Sequence, residues 1–259
     1  MPRPSQPSPG PTSRSAMNET TADRAATLLT AKAAIVTVGA GRGFVVEGLH
    51  NKARLVVTAA HCLPHLPPAH PFSFSEERTY GALVGPRESE PTVMAECLFV
   101  DPIADVAVLG EPDNQSVPEE WDAYLAFVES VSALRVGVVS APGEAWLLTL
   151  NGEWKSCAVR VSSEYTPARA LTLVSAAAGN VPGTSGSPII GADGRAIGVV
   201  SVGSQSGGVI DLEQSGQPLL ASTLPLWLLS ELRVDVVKAR AGCRGYIHAI
   251  RHAMQQGVP

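Results

Sequence analysis

Leu55-Val56-Val57-Thr58-Ala59-Ala60-His61-Cys62 is an apolar, β-branched run that passes through two alanines into an imidazole and a thiol. Such a run, bounded by small residues, reads as a buried strand. The alanines after it leave the imidazole room. A histidine at a strand end combines a rigid scaffold with access to solvent, which is where functional side chains concentrate. The same texture continues on both sides. From residue 33 to about 209 the apolar runs are short, rich in valine, isoleucine and leucine, and punctuated by turn residues. The fold class expected from this pattern is all-β with antiparallel strands.

Local signals place several strands. Residues 35–38 and 43–47 read as strands around a glycine-rich turn, and 54–58 as the next. Asn151-Gly152 separates 146–150 from 154–161, and Asp193-Gly194 separates 188–190 from 196–202. Both dipeptides supply the positive φ angles of a tight hairpin turn. Residues 111–121 are polar, hold Pro112 and Pro118 and lack alternation, so they read as the crossing between two lobes. After Leu224 the period becomes helical: Pro225 suits a first helical position, and Leu226, Leu229, Leu232 and Val236 share a face. Trp227 and the leucines beside it read as helix core, with a break near Gly242 and Gly245. The expected organisation is a disordered Pro/Ser-rich tail over 1–24, an N-terminal β lobe over 25–118, a C-terminal β lobe over 119–223 and a helical segment over 224–259.

Composition excludes some function classes. Of 259 residues, 45% are hydrophobic and 17% charged, ordinary globular usage. The formal charge of −5 comes without a basic block, so nucleic-acid binding lacks its electrostatic footprint. No apolar stretch approaches the roughly 18 residues of a membrane span. Cys62, Cys97, Cys157 and Cys243 form no CxxC pair and read as small packed thiols in a reducing compartment. A signal peptide would need an unbroken apolar core; residues 25–38 come nearest, but Lys32 interrupts them. The expectation is a cytoplasmic rather than a secreted protein, with Met17 as a second candidate start. Pro2, Pro4, Pro7, Pro9 and Pro11 keep the tail extended.

Two further segments carry reactive groups. In Asp101-Pro102-Ile103-Ala104-Asp105-Val106-Ala107-Val108-Leu109 an acid interrupts a buried strand, where a carboxylate without a partner is costly. Asp101 and Asp105 both qualify; Asp105 is preferred because the Val106, Val108 alternation continues directly from it. In Asn180-Val181-Pro182-Gly183-Thr184-Ser185-Gly186-Ser187-Pro188, glycines flank a serine and let backbone amides approach a substrate. Each residue alone has an ordinary alternative: His61 a structural histidine, Asp105 a strand-end cap, Ser185 a turn residue. His61, Cys62, His65 and His70 fit no zinc spacing, and His248 and His252 lack the glutamate of a metalloprotease helix. No metal and no organic cofactor are expected.

Taken in chain order, TAAHC, ADVAVL and GTSGSP resemble the histidine, aspartate and nucleophile motifs of the trypsin-like serine peptidases of the chymotrypsin fold, in their bacterial-type branch. The order histidine, aspartate, serine separates this resemblance from the α/β-hydrolases and the subtilisins. It covers about 33–208. It implies two antiparallel six-stranded β-barrels with the site between them, and peptide-bond hydrolysis through an acyl-enzyme. The implied catalytic residues are Ser185 as nucleophile, His61 as general base and Asp105 as the group orienting the imidazole. Gly183 and Ser185 would supply the oxyanion-hole amides. The implied substrate pocket has Gly179 at its base, Asn180, Val181 and Pro182 on one wall, and Ser201, Val202 and Gly203 on another. Ser201 would also buttress the aspartate. No acid falls in that pocket for certain, which suggests small or apolar substrate side chains.

Two departures from the animal digestive enzymes qualify the resemblance. Thr184 stands where they have the aspartate used in zymogen activation, and no cysteine near Phe44 could bridge Cys62. That activation switch should be absent, and Cys62 should be a free thiol. A catalytically silent protein-binding member of the fold, or an esterase with the same three residues, remains open at this point. The partners implied are protein or peptide substrates, with no nucleic acid and no membrane, and the oligomeric state stays open.

Overall fold

Short β-branched runs become strands that close on themselves before the chain has used half its length. The computed structural model describes residues 13–47, 54–68, 75–139, 143–161, 171–174, 184–201, 205–206, 209–210 and 219–234. In chain order come helix α1 (Ser13–Ala33), strands β1 (Ile35–Val38), β2 (Gly41–Glu47) and β3 (Arg54–Thr58), and a short 3-10 turn (Ala60–Cys62). Helix α2 (Ser75–Arg78) and strands β4 (Thr79–Pro86), β5 (Val93–Asp101) and β6 (Val106–Gly110) follow. They pair antiparallel in the order β1-β2-β3-β6-β5-β4 as a closed barrel. Closure leaves no open sheet edge, and the barrel strands bury side chains on both faces: Val36, Val38, Val56 and Val84 on one, and Phe44, Val57, Val106 and Val108 on the other. Each such side chain contributes roughly 1.5–3 kcal/mol on burial.

Helix α1 begins inside the stretch expected to be extended to residue 24. The prolines that argue for extension end at Pro11, and none follows until Pro64, so nothing in between forbids a helix. A second helix lies in the expected crossing. Residues 111–117 are irregular, but α3 (Pro118–Ser130) starts at Pro118. Proline at the first turn loses no hydrogen bond, and Glu119 and Glu120 favour the positive end of the helix. Tyr124 and Val128, one turn apart, are buried against the barrel, and the Tyr124 hydroxyl lies 3.2 Å from the Arg54 and Leu109 carbonyl oxygens. Arg54 Nη1 donates to the Val128 and Glu129 oxygens at the other end, at 2.8 and 3.2 Å. After α3 the chain joins the barrel to the next sheet: Leu134 bridges Val46, and Val136 bridges Ala196.

The second sheet contains β7 (Gly143–Leu148), β8 (Trp154–Val161), β9 (Leu171–Val174), β10 (Pro188–Gly191) and β11 (Ala196–Val199), in the order β11-β10-β7-β8-β9. Strands β12 (Gln205–Ser206) and β13 (Val209–Ile210) make a separate ribbon. The expectation of a second closed six-stranded barrel is therefore corrected: among the described residues this sheet has five strands and does not close. The outer edge of β11 is already taken. Gly137 N–H donates to the Ala196 oxygen, Ala196 N–H to the Arg135 oxygen, and Leu219 bridges Gly198. Both expected hairpins form, with Gly152 at φ 74° and Gly194 at φ 75°. Among the described residues, the expected helical segment over 224–259 contains one short helix, α5 (Leu226–Glu231), and another, α4 (Leu220–Thr223), lies just before it. Leu228 and Leu229 are buried, whereas Leu226 and Trp227 are about half exposed, so Trp227 is not core. Arg233, at φ 46°, stands two residues beyond the end of α5; residues from 235 on, including Val236, Gly242 and Gly245, lie outside the described residues.

Candidate active site

His61 is carried by the 3-10 turn that follows β3, and Asp105 stands immediately before β6, the neighbour of β3 in the barrel. Strand pairing thus brings two turns together at one end of the barrel. Asp105 Oδ2 accepts the His61 Nδ1 hydrogen bond at 2.8 Å, and its Oδ1 accepts the His61 backbone N–H at 2.9 Å. Asp105 sits at φ 59°, a conformation that aspartate and asparagine enter more readily than most side chains. Ser201 Oγ donates to the same Oδ2 at 2.5 Å, so three donors meet one carboxylate. Asp101, the competing acid, does something else. Its Oδ1 accepts the backbone N–H groups of Ile103 and Ala104, both at 2.9 Å, which makes it the turn residue.

Ser185 lies half-buried in a turn held from both sides. From the second sheet, Gly186 N–H donates to the Val200 oxygen at 2.8 Å and Val200 N–H to the Ser187 oxygen at 2.9 Å. From the barrel, Arg42 N–H donates to the Ser185 oxygen at 2.8 Å. Val200 and Ser201 are consecutive, so one short stretch fastens both the serine turn and Asp105. Gly41 completes the approach: a Cβ there would lie 2.5 Å from Cys62 Sγ and 2.9 Å from the Ser185 oxygen. The turn after His61 and the turn carrying Ser185 therefore flank the same backbone position. The imidazole Nε2 lies 4.0 Å from Cys62 Sγ. No hydrogen bond joins the Ser185 hydroxyl to His61 among the described residues. Such bonds often tighten only when substrate is bound.

Gly186 adopts φ 82°, and a Cβ built on it would stand 1.7 Å from the Arg42 carbonyl oxygen and 2.6 Å from Thr58 Oγ1. Neither neighbour can retreat easily, because Thr58 Oγ1 donates to that same Arg42 oxygen at 2.7 Å. Gly186→Ala is expected to cost about 4 kcal/mol or more, from the backbone conformation and the overlap together. Urea unfolding of the variant measures this; a loss below about 1 kcal/mol would show that the turn has another way to pack.

The electrostatics follow from the contacts. The Asp105 hydrogen bond and then the Cys62 thiol hold the His61 pKa well above the ordinary 6.5, with burial opposing them. Burial raises the Asp105 pKa, but hydrogen bonds from the His61 side chain, Ser201 and the His61 backbone outweigh it, leaving the carboxyl below 3.8. A base must be neutral to take a proton, so a raised histidine pKa moves the onset of any His61-dependent reaction to higher pH. The acid limb of kcat/KM is expected above pH 6.5. A pH–rate profile tests this, and a limb at or below that value would contradict it.

The other expected site residues divide by position. Ser201 is buried and bound to Asp105. Gly179, Asn180, Val181, Pro182, Gly183, Val202 and Gly203 lie outside the described residues. His65 packs its ring on Tyr80 at 4.9 Å, and no group of three or more metal-ligating side chains occurs among the described residues. Cys62, Cys97 and Cys157 are free thiols. No helix among the described residues is long and apolar enough to cross a membrane. The residues missed in the sequence were Gly41 and Arg42; an arginine between two glycines in an apolar strand was the available signal.

Comparison with known proteins gives the family. A family model described as a trypsin-like peptidase domain matches residues 41–199. No curated protein matches the chain. Among solved structures, the Rv3671c protease in an inactive form is similar at 15% identity and TM-score 0.41, over 88% of this chain and all of that one. A serine endoprotease from Yersinia pestis is similar at 14% identity and TM-score 0.39, over 83% of this chain and 66% of that one. The HtrA-type protease AlgW with decapeptide is similar at 15% identity and TM-score 0.40, over 76% of this chain and 52% of that one. A match that runs from the start of β2 to the end of β11 takes in more than half of the chain, and on that ground the chain belongs to the trypsin-like peptidase family, serine proteases that act on peptides or proteins.

Proposed function

We propose that this protease is an endopeptidase that cleaves peptide bonds through an acyl-enzyme formed on Ser185. A neutral serine hydroxyl is a weak nucleophile, so His61 takes its proton through Nε2 as the bond to the substrate carbonyl forms, and later delivers that proton to the leaving amine. Asp105 holds Nδ1 protonated and stabilises the imidazolium. Gly183 and Ser185 donate their backbone N–H groups to the oxyanion. Water then attacks the acyl-enzyme by the same route in reverse. Gly179 forms the base of the substrate pocket, Asn180, Val181 and Pro182 one wall and Ser201, Val202 and Gly203 the other, suited to a small or apolar side chain.

The observation that carries this reading is the line of hydrogen bonds from Ser201 through Asp105 to His61, set beside a serine turn fastened to the same barrel. A protein that only binds would not need a carboxylate that orients an imidazole. The test is labelling with a fluorophosphonate probe. Wild type should be labelled and Ser185→Ala should not; an unlabelled wild type across pH would support the silent, protein-binding alternative. Turnover of ester but not peptide substrates by a labelled enzyme would support an esterase.

A further inference from the structure

Arg42 is only 5% exposed, though it carries a full charge. A buried guanidinium is costly unless its donors are met. Here they reach main-chain oxygens of the other sheet: Nη1 lies 3.4 Å from the Leu148 oxygen and 3.2 Å from that of Thr149, and Nη2 lies 3.5 Å from that of Leu150. The acid paired with it among the described residues, Glu88, stands off at 3.8 Å, is about half exposed and is shared with Arg87 at 3.7 Å. The charge therefore serves as a clamp on the turn between β7 and β8 more than as half of an ion pair. Lys32 of α1 grips the same turn, donating to the Gly152 oxygen at 2.8 Å.

The main chain of Arg42 is engaged at the opposite end. Its N–H holds the Ser185 oxygen, and its own oxygen accepts Thr58 Oγ1, three residues before His61. Strand β10, which begins three residues after Ser185, pairs with β7 through Ile189 with Leu147 and Ile190 with Trp146. A closed circuit results. The guanidinium fixes the end of β7, the β7–β10 pairing passes that position to the start of β10, and the Arg42 backbone fixes the serine turn to the strand leading to His61.

We propose that Arg42 is a positioning residue that sets where Ser185 stands relative to His61 by clamping the 148–150 turn to the barrel. This rests on Ser185 being the nucleophile. The effect is transmitted through backbone, since the guanidinium touches neither residue, and it matters because a displacement of about 1 Å in a reacting group can cost on the order of 100-fold in rate.

Arg42→Met keeps the apolar stem without donors, Arg42→Gln keeps a shorter polar group, and Arg42→Lys retains a cation that can reach one carbonyl at best. Each is compared with wild type by hydrogen-exchange mass spectrometry, by kcat and KM on a peptide substrate and by fluorophosphonate labelling. In the Met and Gln variants, exchange over 184–191 should quicken about tenfold or more while the β1–β2 strands stay protected. Their kcat should fall on the order of 10- to 100-fold, with KM moving less than about threefold. Arg42→Lys should lie between them and wild type. Wild-type exchange over 184–191 in a folded Met or Gln variant overturns the proposal. If wild type is inert to the fluorophosphonate, the nucleophile reading fails, and exchange over 184–191 still decides whether Arg42 holds the turn.

Discussion

Ser185→Ala is expected to lower kcat on peptide substrates by about a million-fold, the loss found when the nucleophile of such a unit is removed alone. The residue is half-buried and its backbone oxygen is bound to Arg42, contacts that alanine preserves. The variant should therefore fold with unchanged stability and still bind peptide. What disappears is the proposed nucleophile. Rate above the uncatalysed reaction should persist at a low level, from oriented amides and substrate binding. Steady-state kinetics with an added class-specific inhibitor separates this residue from contaminating protease, and a variant within about tenfold of wild type would remove Ser185 from the mechanism.

Asp105→Asn is expected to lower kcat by about ten-thousand-fold with the fold intact. The backbone at φ 59° accepts asparagine as readily as aspartate, so the effect is one of hydrogen bonding. The carboxylate accepts three donors: the His61 backbone N–H on Oδ1, and His61 Nδ1 and Ser201 Oγ on Oδ2. An amide has one oxygen to offer. If that oxygen faces the His61 backbone, the NH₂ faces Nδ1, which must then become an acceptor, and the ring proton moves to Nε2. The nitrogen needed to receive a proton is then already protonated. If the amide flips, its NH₂ opposes the backbone N–H of His61 and displaces the turn. Both orientations fail for electrostatic reasons. Nitrogen chemical shifts of the imidazole report the tautomer, and an Nδ1-protonated ring at full activity would sink the argument.

The parts of this protein that could be read along the chain are those whose causes are local. Leu55 to Val57 become strand because three apolar residues in a row can be buried on both faces, and Val57, Thr58 and the alanines after them deliver His61 to its end. Asn151-Gly152 and Asp193-Gly194 specify their hairpins because positive φ is a property of the dipeptide itself. Helix α3 escaped notice since its apolar face is short and its C-terminal end is completed from afar, by Arg54 across the fold. Helix α1 is hidden by composition: the prolines that keep a chain extended end at Pro11, two residues before the helix begins. That the second sheet stays open among the described residues was illegible because β11 is covered by residues 135–137 and 219, and nothing near Ala196 announces those partners.

Chain order alone determined that a histidine, an aspartate and a serine would be offered at strand ends, since each motif is a run of neighbours with its own strand or turn preference. The alternation after Asp105 already favoured it over Asp101, and the resemblance already implied Ser201 as its buttress; the folded arrangement supplies the contacts themselves, Asp105 with the imidazole 44 residues away and Ser201 with the same carboxylate across 96. It alone gave Arg42 its carbonyl partners more than a hundred residues on. A hydrogen bond between distant segments leaves no periodicity and no turn signature behind, because its geometry is set by how sheets pack and not by what stands next along the backbone.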